Sequence, residues 1–242
     1  GRRAAEGAVI SWLRATAARL FPPRVDTTPE LAAVEAEIER KPGTPTPLPA
    51  AERAQRAARV LAGPRGYYRL GCGGTDPGDD LPWGPYRAKP GEALETVRAK
   101  HQAGEVWCDC SGAIAWVLGV PRKIAGYARG YGWVSTDGII RDAEDPAVEL
   151  VEYVPIGGDV RAWECLVVYG WHDDNADGER DPGEIGHVGI VSSVPPGWSY
   201  TGPASLEALS VWHCASGPSP TGAVRVSPGR AWRRRGRVVR VV

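Results

Sequence analysis

Methionine is absent from this 242-residue sequence and phenylalanine occurs once, whereas tryptophan occurs ten times and tyrosine eight. Lysine is scarce, limited to Lys41, Lys89, Lys100 and Lys123, so arginine carries nearly all of the positive charge. No excess of either sign is present, because 29 Lys and Arg balance 29 Asp and Glu. That balance argues against a general nucleic-acid binder, which needs surplus basic charge to meet phosphates. No run approaches the roughly 18 uninterrupted apolar residues of a membrane span, so no integral membrane segment is expected. The five cysteines are Cys72, Cys108, Cys110, Cys165 and Cys214. They are too few for a disulfide scaffold, and their odd number leaves at least one thiol free or paired between chains. Residues 1–21 lack the long apolar stretch of a signal peptide. What is there is ordinary for a globular domain, with 43% hydrophobic and 24% charged residues, which excludes wholesale disorder. The Trp and Tyr rings carry polar handles that suit a surface gripping an amphipathic or sugar-bearing ligand, although most of them are expected in the core.

Helical spacing dominates the first third. Ile10, Leu13, Ala17 and Leu20 share a face, and Pro22-Pro23 ends that segment. Thr28-Pro29 reads as a cap with proline at the first helical position, followed by the stripe Leu31, Val34 and Ile38. Residues 42–49 are a stiff proline-rich linker. A third helix is expected over 50–62, along Ala54, Ala57, Ala58 and Leu61. A glycine- and aromatic-rich loop region runs to residue 90, and a helix near 91–103 follows. The segment Cys110–Leu118 is apolar all round, hence a short buried helix. Strand patterns follow at 148–154, 165–171, 187–194, 209–215, 223–227 and 237–242. Helices first and strands afterwards predict an α+β fold, with residues 1–48 as an N-terminal helical extension and linker and residues 49–242 as the main domain.

Asp109-Cys110-Ser111-Gly112 opens the buried helix. A cysteine at a helix N-terminus sits in positive partial charge, which favours the thiolate. A nucleophilic cysteine needs a base, and only His101, His172, His187 and His213 are available. His187 begins the run His-Val-Gly-Ile-Val, where the small neighbours leave room for a substrate. His213 lies on another strand, placed to orient the first imidazole through its far nitrogen.

This set resembles the NlpC-type cell-wall cysteine peptidases, a compact papain-like family. The matching pieces are residues 67–74 (Tyr-Tyr-Arg-Leu-Gly-Cys-Gly-Gly), residues 109–112, residues 186–191 (Gly-His-Val-Gly-Ile-Val) and His213, and they cover roughly residues 50–227. The resemblance implies a papain-like core of helices packed on an antiparallel sheet, hydrolysing peptide stems of bacterial peptidoglycan. It implies Cys110 as nucleophile, His187 as base and His213 as orienter. It puts Tyr67 or Tyr68 near the catalytic site, and Asp109 and Ser111 where a free stem amine is held. It also implies an extracytoplasmic protein, secreted or delivered to the cell wall. The sequence departs from the compact pattern in the long intervals between Cys110, His187 and His213. These are expected to form loops over 123–159 and 195–205 that narrow or redirect the cleft. A Cys72–Cys108 disulfide is one further option.

A second motif precedes His187. Residues 173–184 fit the twelve-residue calcium loop D-x-[DN]-x-[DN]-G-x5-E at every ligand position. The ligands are Asp173, Asn175, Asp177, the Glu179 carbonyl, Asp181 and Glu184, with Gly178 at the sharp turn. The usual flanking helices are replaced by strand patterns, so the expected cofactor is a structural calcium ion. Two other readings stand beside the hydrolase: a papain-like amidase, acyltransferase or deamidating toxin on another substrate, and a non-catalytic, calcium-stabilised wall-binding module.

Overall fold

The computed structural model describes residues 44–88, 91–145, 149–172, 174, 185–216 and 222–242. All belong to the compact unit Arg40–Val242. The helices expected over 10–20 and 28–41 lie outside the described residues. The end of the proline-rich stretch is not a free linker: Pro47 is buried, and the Leu48 N–H donates to the Leu118 carbonyl at 2.7 Å.

Helix α1 spans Ala50–Ala62 and buries Arg53, Ala57 and Val60. That face is rotated from the expected one, and Ala58 is exposed. Arg53 is tolerated inside because its guanidinium donates to the Trp163 carbonyl at 2.8 Å. Strand β1, Tyr67–Tyr68, pairs in parallel with β2, Trp107–Cys108. Helix α2 is Leu94–Gln102. Helix α3, Cys110–Leu118, is buried at all nine positions, as its all-round apolar sequence requires. It starts on the Asp109 cap and stops at Gly119, whose φ of 74° suits a residue without Cβ. Helix α4, Thr136–Ala143, was not expected; Ser135 caps it by accepting the Gly138 N–H at 3.1 Å.

Six strands complete the fold: β3 Val151–Tyr153, β4 Cys165–Tyr169, β5 His187–Ser193, β6 Ser210–Cys214, β7 Val224–Pro228 and β8 Arg237–Val241. They form one sheet in the order β3-β8-β4-β5-β6-β7, antiparallel throughout. The architecture is therefore α+β. Side-chain alternation gives the sheet two faces. Leu166, Val168, Val188, Ile190, Trp212 and Cys214 pack in one cluster with α3. Val167, Val191 and Val211 pack on the other face with Leu206 and Trp232, contributed by the 3-10 helices Pro203–Ala208 and Gly229–Trp232. Among the described residues, no helix is long and apolar enough to cross a membrane.

Candidate active site

Asp109 fixes the start of α3. Its Oδ1 accepts the Gly112 N–H at 2.7 Å and the Ser111 hydroxyl at 3.2 Å, and its Oδ2 accepts the Gly71 N–H at 2.6 Å. Arg122 completes the shell, donating to Asp109 Oδ2 at 2.5 Å and to Ser111 Oγ at 3.2 Å. The same guanidinium donates to the carbonyls of Cys72 and Gly73, at 2.9 and 3.2 Å. One buried cation thus ties the glycine-rich loop to the helix N-terminus. The two backbones touch there: a Cβ at Gly74, whose φ is +62°, would sit 1.9 Å from the Gly112 carbonyl oxygen. Asp109 is 0% exposed. Asp109 and Ser111 line the Cys110 cavity, and with both Asp109 oxygens bonded within the protein the two side chains also cap and anchor the helix. The tie was invisible in the sequence because Arg122 is one arginine among many.

Cys110 is the first residue of α3 and is 2% exposed. Its sulfur faces the Tyr68 hydroxyl and the Val188 backbone N–H, which favour the thiolate. Burial and the Asp109 carboxylate outweigh them and push the thiol up to about 12. The thiolate expected from the helix terminus is therefore corrected to a resting thiol. Tyr68, not Tyr67, is the tyrosine at the site. Tyr67 is 51% exposed and stacks on Trp107 with ring centroids 4.8 Å apart.

His187 and His213 are brought together on adjacent strands. His187 Nε2 lies 2.9 Å from His213 Nδ1, and His213 Nε2 lies 2.7 Å from Ser227 Oγ. Ser227, on β7, is a member that the sequence reading missed; it pairs with Val211 and reaches His213 diagonally across the strands, which sequence spacing cannot reveal. Trp232, fully buried, stacks on the His187 ring at 5.0 Å and 20° and meets His213 edge-on at 5.2 Å. Burial, reinforced by Arg225, lowers His187 to about 4, and burial, His187 and Arg225 lower His213 to about 3. Both rings are neutral at pH 7. Gly189 leaves space for this pair and not for substrate: a Cβ there would lie 2.4 Å from Val211 Cγ1 and 3.1 Å from His213 Cβ.

The two halves meet at the end of β5. Val188, whose N–H faces the sulfur, packs under α3, while the His187 ring points to the Trp232 side. The His187 ring and the Cys110 sulfur thus lie toward opposite faces of the sheet, and no hydrogen bond joins them among the described residues. A cavity of about 360 Å³ opens on Cys110, walled by Leu70, Tyr131, Trp133, Trp171 and Ile185. Tyr131, Trp133 and Asp137 come from the segment 123–159, which therefore forms one side of the cleft. All five cysteines are buried and free, so the Cys72–Cys108 disulfide is not formed. The calcium-loop ligands Asp173, Asn175, Asp177, Glu179, Asp181 and Glu184 lie outside the described residues. Among the described residues, no group of three or more His, Cys, Asp or Glu gathers to hold a metal ion. Compared with known proteins, the chain matches no family model, no curated protein and no solved structure.

Proposed function

We propose that this chain is a papain-like cysteine hydrolase acting on peptide amide bonds, with stem peptides of peptidoglycan as the substrate class. The observation that carries the reading is the hydrogen-bonded run His187–His213–Ser227, which starts on β5 beside Val188, whose N–H faces the Cys110 sulfur, while Cys110 itself lines an aromatic cavity. In the tautomers that leave His187 Nδ1 open, His187 Nε2–H donates to His213 Nδ1, and His213 Nε2–H donates to Ser227. Because the His187 ring stands on the Trp232 side, proton transfer requires it to turn toward the sulfur at the end of β5 when substrate binds. The Cys110 proton then passes to His187 Nδ1 while sulfur attacks the amide carbon. The Cys110 backbone N–H, at the open end of α3, faces the developing oxyanion. The leaving amine takes the proton from His187, and water hydrolyses the thioester. Digestion of purified peptidoglycan, with fragments identified by mass, tests the proposal. New stem termini support it, and an unchanged fragment pattern at high enzyme concentration removes it.

A further inference from the structure

The Cys110 cavity has a neighbour. Asp137 and Trp171 also line a second cavity, of about 750 Å³. This larger space is lined by three guanidiniums, Arg141, Arg235 and Arg237, together with the carboxylates of Asp137 and Glu144. Two of the guanidiniums are neutralised: Arg235 pairs with Asp174, and Arg237 pairs with Glu144 at 3.1 Å. Arg141 has no carboxylate partner among the described residues. Its guanidinium lies over the Tyr131 ring, 4.7 Å from the centroid, and Tyr131 is a wall of the Cys110 cavity. The stacked cation therefore stands at the junction of the two spaces, with its planar fork of donors unused.

We infer that the two cavities form one cleft, and that the larger half takes the carboxylate-bearing part of an extended peptide, recognised by Arg141. This inference rests on the hydrolase reading and names its specificity. A single unopposed guanidinium beside two acidic side chains suits a monoanionic carboxylate. A dianionic phosphate would meet Asp137 and Glu144 without a second free cation among the described residues. The aromatic walls of the smaller half then hold the uncharged segment whose carbonyl faces Cys110.

The test uses one stem peptide with a free glutamate α-carboxylate and the same peptide with that group amidated. Binding is read by calorimetry and turnover by chromatography, on the full chain and on Arg141→Gln. The wild type is expected to favour the carboxylate form by about tenfold, the range of one charge-assisted bond pair. Arg141→Gln erases that preference while leaving the amidated peptide unchanged, and Arg141→Lys restores part of it. Unaltered melting confirms that the exposed substitution leaves the fold intact. Charge-selective binding without turnover keeps the cleft and removes the hydrolase. Turnover with equal rates on both peptides keeps the hydrolase and overturns the Arg141 inference. Binding of neither peptide overturns the inference as well.

Discussion

His187 and His213 face each other across neighbouring strands, with Nε2 and Nδ1 2.9 Å apart and the bond lidded by Trp232. Neither ring is charged at neutral pH, because taking an imidazolium out of water costs more than the polar partners return. The pair is therefore a neutral hydrogen-bonded run from His187 through His213 to Ser227.

The nucleophile can be separated from its surroundings. Cys110→Ser should keep the melting temperature near wild type and lower stem-peptide hydrolysis by a factor on the order of 10³ or more. The resting thiol is held up to about 12, so a small alkylating reagent should label it slowly at pH 7. A peptide-based acyl electrophile that fills the cavity should label it much faster. Wild-type turnover by Cys110→Ser would remove the proposed chemistry.

Acid should weaken the fold through the histidine pair. His187 is lowered to about 4 and His213 to about 3 in the folded chain, against 6.5 in the unfolded one. Between those values the unfolded chain binds more protons, so stability is full above pH 6.5 and falls as pH drops toward 4. Asp142 acts in the opposite sense, since burial raises it to about 6, and its contribution is lost as pH rises through that value. His213→Gln keeps a polar partner for His187 without titrating, so its melting temperature should fall less steeply between pH 6.5 and 4. Equal slopes for the two proteins would show that the pair does not drive the acid response.

The Asp109–Arg122 bond should be structural. Removing either partner leaves a charge uncompensated at the helix start, at a cost of about 3–5 kcal/mol. Asp109→Ala and Arg122→Ala should both lower the denaturant midpoint strongly, and the double variant should cost less than the sum of the two. Additive losses would show that the two side chains act independently.

The proposed calcium ligands lie within residues 173–184, between β4 and β5 in sequence, and the last stands three residues before His187. Four carboxylates repel one another there without a cation. Calcium at a hundredfold excess over its dissociation constant should stabilise the fold by about 2.7 kcal/mol. Chelation should lower the melting temperature and slow turnover, and Asp177→Ala should do both without a chelator. Identical melting curves with calcium and with chelator would reduce the loop to an acidic turn.

The sequence by itself determined the local elements and the chemical inventory. Helix Cys110–Leu118 and the six strands fall within a few residues of their expected bounds, because hydrophobic periodicity and caps are short-range signals. Cys110 stands at the expected helix start and His187 and His213 on the expected strands, for the same reason. Tertiary structure alone decided what those groups experience. It chose Tyr68 over Tyr67, recruited Ser227 and Trp232 to the histidines, and tied Asp109 to Arg122. It also overrode the helix terminus at Cys110, because the desolvation of a sulfur 2% exposed depends on every element packed around it. Burial and charge pairing are sums over residues distant in sequence, and no local pattern encodes them.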